Sequence, residues 1–209
     1  MENPYQGDVN VAVEIGNKEL VYRYTSVRIE NVTKKVSSME MQIRLYYCGT
    51  RAINLLADLT NYIMLELGQP MHAFDGNKIG KIVVDTPKEN ILFTTLDGVE
   101  RDITPDTLMI YDNETPVGIA GIMGGLDSEI TDETNSVVLE SANFDGVSVR
   151  KSASRLALRT DASARYEKTL DPEMTMLAAK RFIKLLKDSD PGCICTSNIT
   201  DIYLHKYPQ

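Results

Sequence analysis

The residues of this chain best able to do chemistry are few and dispersed: His72 in GQPMHAFD, Glu140 at the end of an apolar run, and a glycine-dense segment between them. A neutral imidazole can orient or deprotonate a water, and an inward-facing carboxylate can accept a hydrogen bond or hold a proton. The run GIAGIMGG, residues 118–125, packs four of the thirteen glycines into eight positions. Glycine at that density lets the backbone approach a ligand or another chain closely, and its amides can donate to an anion. The run has neither the G-x-G-x-x-G order of a dinucleotide loop nor the GK[ST] ending of a phosphate loop, so nucleotide binding is not expected there.

Each of these features has a plainer reading. His72 follows a turn and has apolar neighbours, a setting in which a lone histidine is more often a satisfied structural residue. Glu140 follows residues 136–139, and strand alternation points either it or Leu139 inward. A carboxylate turned inward must find donors, because an unpaired buried charge is costly. Residues 150–168 hold six basic side chains, Arg150, Lys151, Arg155, Arg159, Arg165 and Lys168, against only Asp161 and Glu167. The surplus suits a phosphate-contact surface, but also a solvated helix face laced with i, i+4 ion pairs. Cys48, Cys193 and Cys195, with only His72 and His205 besides, give no four-ligand zinc spacing and read as buried or incidental thiols.

The elements that must position these groups follow from periodicity. Residues 20–29, LVYRYTSVRI, are rich in β-branched and aromatic side chains and predict a strand. A helix is expected over residues 37–45. A second is expected from near Ala52, with Ile53, Leu56, Leu59, Ile63 and Leu67 on its apolar face and Gly68 and Pro70 as its stop. Short β-rich runs occupy residues 81–121, and Asp97-Gly98 predicts a hairpin with a type I′ turn. Residues 137–141 read as a buried strand, and Asp145 as the cap of a helix running to about Ser154. Asp171, as cap, with Pro172 and Glu173 opens a last helix whose apolar face carries Met174, Leu177, Ala178, Phe182, Leu185 and Leu186. Residues 1–19 have few apolar side chains and no period, and read as a tail or linker.

The chain of 209 residues, 43% apolar, can bury one substantial core or two small ones. The expectation is an α+β fold of irregular mixed and antiparallel sheets flanked by helices, with two interleaved lobes forming one compact unit over residues 20–209. No apolar run approaches the roughly 18 residues of a membrane span, and the polar opening lacks secretory features, so a soluble, cytoplasmic chain is expected. A net charge of −8 argues against a free-standing nucleic-acid binder.

Four longer segments then stand out: NYIMLELGQPMHAFD, LDGVERDITPDTLMI, GIAGIMGGLDSEITDETNSVVLESANF and LALRTDASARYEKTLDP. In order and spacing they resemble the editing module of the bacterial-type phenylalanine–tRNA ligase β chain. With RY and RL matches near Arg23 and Arg44, the resemblance covers roughly residues 20–190. The departure lies in GTRAINLLADLT, where that family usually has proline after the arginine and two successive asparagines; here Ala52 and Leu55 intervene.

The resemblance implies a module that hydrolyses tyrosine wrongly esterified to the phenylalanine tRNA. Such a second sieve is needed because an apolar synthetic pocket rejects an added hydroxyl only about a hundredfold. It implies an editing pocket at Thr60, Asn61, His72, Gly121, Gly124, Glu140, Thr160 and Ala162. Glu140 would accept the phenolic proton, His72 and Thr160 would polarise and orient a water, and the Gly121 and Gly124 amides would receive the oxyanion. Arg155, Arg159 and Arg165 would contact tRNA. No Ser-His-Asp order or activated cysteine is evident, which favours direct attack by water. No cofactor is implied in the module itself; ATP and Mg belong to the parent enzyme. The implied partners are the aminoacylated 3′ end of the tRNA, an α subunit and the remaining β domains of a heterotetramer. Two other readings stay open: a stand-alone protein that clears mischarged tRNA, and a non-catalytic RNA-positioning or subunit-interface module.

Overall fold

The computed structural model describes Gly7 and residues 9–206. The chain begins with β1 (Val9–Asn10), β2 (Val13–Ile15) and β3 (Val21–Glu30), then forms helices α1 (Met39–Tyr47) and α2 (Leu55–Leu67). A run of strands follows: β4 (His72–Asp75), β5 (Ile82–Asp85), β6 (Ile91–Thr94), β7 (Glu100–Ile103), β8 (Met109–Asp112), β9 (Thr115–Ile119) and β10 (Met123–Gly124). After β11 (Val137–Phe144) come α3 (Gly146–Arg155), α4 (Ser163–Tyr166) and α5 (Glu173–Ser189), and the described chain ends with β12 (Ile194–Cys195), β13 (Ser197–Asn198) and β14 (Thr200–Tyr203).

Two five-stranded sheets dominate. In the first, β3 pairs antiparallel with β11 along one edge and with β12 and β14 along the other, while β4 pairs with the far edge of β11. The second has the order β10-β9-β8-β5-β2, antiparallel except for the parallel β2–β5 pair. All eight residues of β11 are buried, because the strand is covered on both faces. Val137 and Leu139 enter one core with Leu59 and Ile63 of α2 and Phe182 and Leu186 of α5. Val138, Ala142 and Phe144 enter a second core with residues of the other sheet, among them Ile82, Met109 and Ile119. The result is three layers, helices on sheet on sheet, and an α+β fold in which two cores share β3 and β11. Each large side chain so buried contributes roughly 1.5–3 kcal/mol.

Several expectations are corrected. Residues 9–19 are not a tail: Val11 and Ile15 are buried and β2 extends the second sheet, while residues 1–6 and 8 lie outside those described. The second helix opens at Leu55, not near Ala52. Asn54 caps it by accepting from the Ala57 amide at 2.9 Å, and Asp58 takes the Ile53 amide at 2.7 Å. Ile53 therefore precedes the helix and is 71% exposed. The 97–98 hairpin forms, but without a type I′ turn, which needs positive φ at both central residues. Only Gly98 has it (φ 75°), with the Gly98 amide donating to the Thr95 carbonyl and the Thr95 amide to the Val99 carbonyl. The Asp97 carboxylate organises this three-residue loop by accepting from Thr95 and Arg101. Leu177 lies on the outer side of α5, 50% exposed. The cap of α5 is Pro172, with Asp171 one position further out accepting from the Glu173 amide at 2.9 Å.

The stop of α2 carries its own prediction. Gly68 is in the left-handed region (φ 77°), its amide returning to the Met64 carbonyl at 2.9 Å, and this turn aims the chain into β4. Gly68→Ala should cost about 1 kcal/mol, since a Cβ there is strained although the space is open. Urea denaturation measures it directly.

Candidate functional site

The site is built where β4 and β11 face the glycine-rich end of the second sheet. In the β4–β11 ladder Glu140 stands directly opposite His72, so both side chains project from the same face, the one turned away from α2 and α5. Alternation therefore sends Leu139 and Glu140 inward to different cores; the choice posed by the sequence was not exclusive. Between the two sheets lies a pocket of about 70 Å³, room for a few waters. His72, Phe74 and Glu140 form one wall, Gly118 to Gly124 the opposite one, and Ala162 and Tyr166 of the α4 segment close it.

Glu140 is 5% exposed, and Tyr24 of β3 donates to its Oε2 at 2.8 Å. Burial pushes the Glu140 carboxyl up to about 7, against the opposing pull of the Tyr24 hydrogen bond. His72 is half-buried, its ring edge-on to Phe74 with centroids 4.4 Å apart. Burial pushes its imidazole down to about 4, so the ring is neutral at physiological pH. Among the described residues none hydrogen-bonds that ring, which separates it from the satisfied structural histidine of the plainer reading. Tyr166 donates to the Ala142 carbonyl at 2.8 Å, and Gln69 donates to the same carbonyl at 2.8 Å and to that of Pro70 at 2.9 Å. These bonds fix the turn that delivers His72.

The glycine run is explained position by position. Gly121 has φ 69° in the β9–β10 turn, where the Ile122 amide donates to the Ile119 carbonyl at 3.0 Å. A Cβ on Gly124 would lie 2.5 Å from Cε1 and 2.7 Å from Nε2 of His72, so the imidazole rests on bare backbone. A Cβ on Gly125 would meet Phe93 at 2.6 Å, whereas one on Gly118 meets nothing nearer than 3.6 Å. Gly124→Ala should thus cost about 1–3 kcal/mol through overpacking and shift the His72 ring, while Gly118→Ala stays within about 0.5 kcal/mol. Paired thermal melts check the contrast.

Other expected site residues stand elsewhere. Thr160 does not line the pocket. Its hydroxyl donates to the Ile122 carbonyl at 2.9 Å and accepts from the Ser163 amide at 3.1 Å, so it ties the α4 segment to the glycine turn. Thr60 and Asn61 are half-buried on α2 and outside the lining, with the Thr60 hydroxyl turned to the Ala57 carbonyl of its own helix. The three arginines are ion-paired: Arg155 with Asp106, Arg159 with Glu167 at 2.7 Å and Arg165 with Asp161 at 3.3 Å. Sequence reasoning missed Tyr24 and Tyr166. Tyr166 sits inside one of the resembling segments and Tyr24 in the short RY match at Arg23, but neither signal tells that the side chain reaches the site; cross-strand register does so for Tyr24. Cys193 and Cys195 are buried free thiols and Cys48 is exposed. Among the described residues no cluster of His, Cys, Asp or Glu could hold a metal ion, and no helix is long and apolar enough to cross a membrane.

An α+β module with this pocket matches a defined class: residues 20–190 fit the B3/4 domain family, and the chain belongs to it. Its relatives narrow the class further. It is similar to the phenylalanine–tRNA ligase beta subunit of Clostridium acetobutylicum, 47% identical over 193 residues, covering 91% of this chain and 24% of that protein. The subunit of the same name from Carboxydothermus hydrogenoformans is 48% identical over 203 residues, covering 96% of this chain and 25% of that one. The chain therefore spans about a quarter of the length of the curated relatives it matches. Among solved structures, an N-terminal fragment of the phenylalanyl-tRNA synthetase beta subunit from Pyrococcus horikoshii shares the fold. Its TM-score is 0.51 at 14% identity, over 75% of this chain and 51% of that one.

Proposed function

We propose that this chain is the editing region of a phenylalanine–tRNA ligase β subunit and that its pocket hydrolyses the ester of tyrosyl-tRNA carrying the phenylalanine anticodon. The observation that carries this reading is the Glu140–His72 pair. A nearly buried carboxylate, held on one oxygen by Tyr24, faces a pocket with a neutral imidazole directly across the ladder that no described residue hydrogen-bonds. The carboxylate supplies an acceptor that a tyrosine ring satisfies and a phenylalanine ring leaves unpaired.

His72, pushed down to about 4, is a weak base. Its role is to accept a hydrogen bond from the attacking water and orient it, with the tRNA's own terminal hydroxyl available to assist. The backbone around Gly121 and Gly124 faces it across the pocket, which supports a role for these amides in receiving the developing oxyanion. Thr160 acts from behind by holding that turn. Because the arginines are already paired and the net charge is −8, the tRNA body is held chiefly by an α subunit and other β domains. ATP and Mg serve the synthetic site of that larger enzyme.

The test is hydrolysis of preformed tyrosyl-tRNA by the chain alone and by the assembled ligase. Faster release of tyrosine than of phenylalanine in the ligase supports the reading; no release by either preparation leaves a non-catalytic positioning module instead.

A further inference from the structure

We propose that Tyr24 is a positioning residue for the specificity acid: its phenol pins one oxygen of Glu140 on the core side and so fixes the other at the pocket wall. The inference rests on the reading of Glu140 as acceptor of a substrate phenol. Tyr24 pairs with Ala142, two positions along from the Ser26–Glu140 pair, so the tyrosine and glutamate side chains share one face of the sheet. The Tyr24 ring is fully buried and tilted against Phe144 with centroids 6.4 Å apart. Its hydroxyl meets Oε2 of Glu140 at 2.8 Å. Glu140 lines the pocket and Tyr24 does not, so the held oxygen is the inner one and Oε1 is left for a ligand.

A glutamate side chain has several rotatable bonds, and an acceptor that must be ordered at the moment of binding discriminates poorly. A fully buried donor orders it beforehand. The titratable groups facing Glu140 are Tyr24 from β3, His72 from β4 and Tyr166 from α4. His72 is neutral and the Tyr166 hydroxyl is committed to the Ala142 carbonyl. Among the described residues only Tyr24 donates to the carboxylate, and its hydrogen bond favours the ionised form.

Tyr24→Phe keeps the ring and its packing while deleting the donor, so the fold should survive. On the 209-residue chain, carbon-13 NMR titration of the Glu140 carboxyl should show the midpoint of the variant moved upward from that of the wild type. In the assembled ligase, tyrosyl-tRNA hydrolysis at neutral pH should slow about tenfold, the scale of one hydrogen bond to a charged group, with phenylalanyl-tRNA hydrolysis unchanged. Equal slowing of both esters marks a merely structural tyrosine and overturns the proposal, as does an unmoved midpoint. Glu140→Gln, run in parallel, separates the two claims. If it leaves selectivity intact, the acceptor reading fails and Tyr24 with it; if it abolishes selectivity while Tyr24→Phe does not, only the role of Tyr24 falls.

Discussion

Replacing Glu140 with alanine should erase the preference for tyrosyl over phenylalanyl esters. Sites that hydrogen-bond a substrate hydroxyl reject the analogue lacking it by as much as about 10⁴-fold, because the buried polar group is otherwise left unpaired. Glu140 meets that condition: it is nearly buried, and one oxygen is already taken by Tyr24. Its carboxyl lies near 7, so a large share of molecules present the ionised acceptor at neutral pH. The expected loss is therefore in tyrosine hydrolysis, with the slow phenylalanine reaction little changed. Alanine also leaves the Tyr24 hydroxyl without its partner, which costs stability on the order of 1–3 kcal/mol. Glu140→Gln, which preserves shape and an acceptor for Tyr24, distinguishes lost chemistry from lost folding. Deacylation rates of preformed tyrosyl- and phenylalanyl-tRNA by the assembled enzyme give the ratio directly, and a ratio equal to that of the wild type would sink the assignment.

What could be read beforehand divides along physical lines. Elements set by local signals were legible: the strand of residues 20–29, the left-handed stop at Gly68 and the Asp145 cap, which accepts from the Ser148 amide at 2.7 Å. Features set by distant partners were not. The parallel pairing of β2 with β5 joins segments separated by two strands and two helices, β3, α1, α2 and β4, and nothing in residues 1–19 signals it. Alternation told which residues of β11 share a face but could not tell that both faces are covered. The Arg165–Asp161 pair follows from i, i+4 spacing, whereas the partners of Arg155, Thr104 and Asp106, lie far back in the chain.

The candidate site shows the same division. His72, Glu140, Gly121, Gly124 and Ala162 line one pocket while Thr60, Asn61 and Thr160 do not, and composition could not have assembled the first five. Glycine density announced a close approach of backbone without naming its object, which at Gly124 is the His72 ring and at Gly125 is Phe93. Tyr24 falls in the short RY match at Arg23, which names no role for it. It reaches Glu140 because the β3–β11 register places it one pleat away.

The pair at the centre of the site should also leave a signature in stability. Glu140 is raised from 4.5 to about 7. Between these values the folded chain holds a proton that the unfolded chain has released, so stability falls as pH rises through that window. His72 is lowered from 6.5 to about 4, and there the unfolded chain is the one that holds the extra proton, so stability rises with pH. Each shift corresponds to about 3 kcal/mol, and from about pH 4.5 to 6.5 the two slopes oppose and nearly cancel in the wild type. Single substitutions expose them. Relative to wild type, Glu140→Gln should gain about 3 kcal/mol as pH rises from about 4.5 to 7, and His72→Phe should lose about as much between about 4 and 6.5. Comparison with the wild type at each pH removes the contribution of every other carboxylate, including those of Glu66 and Asp190, which their donors hold low. Urea denaturation across this range gives the differences, and parallel curves for all three proteins would mean that neither group is as desolvated as the pocket geometry requires.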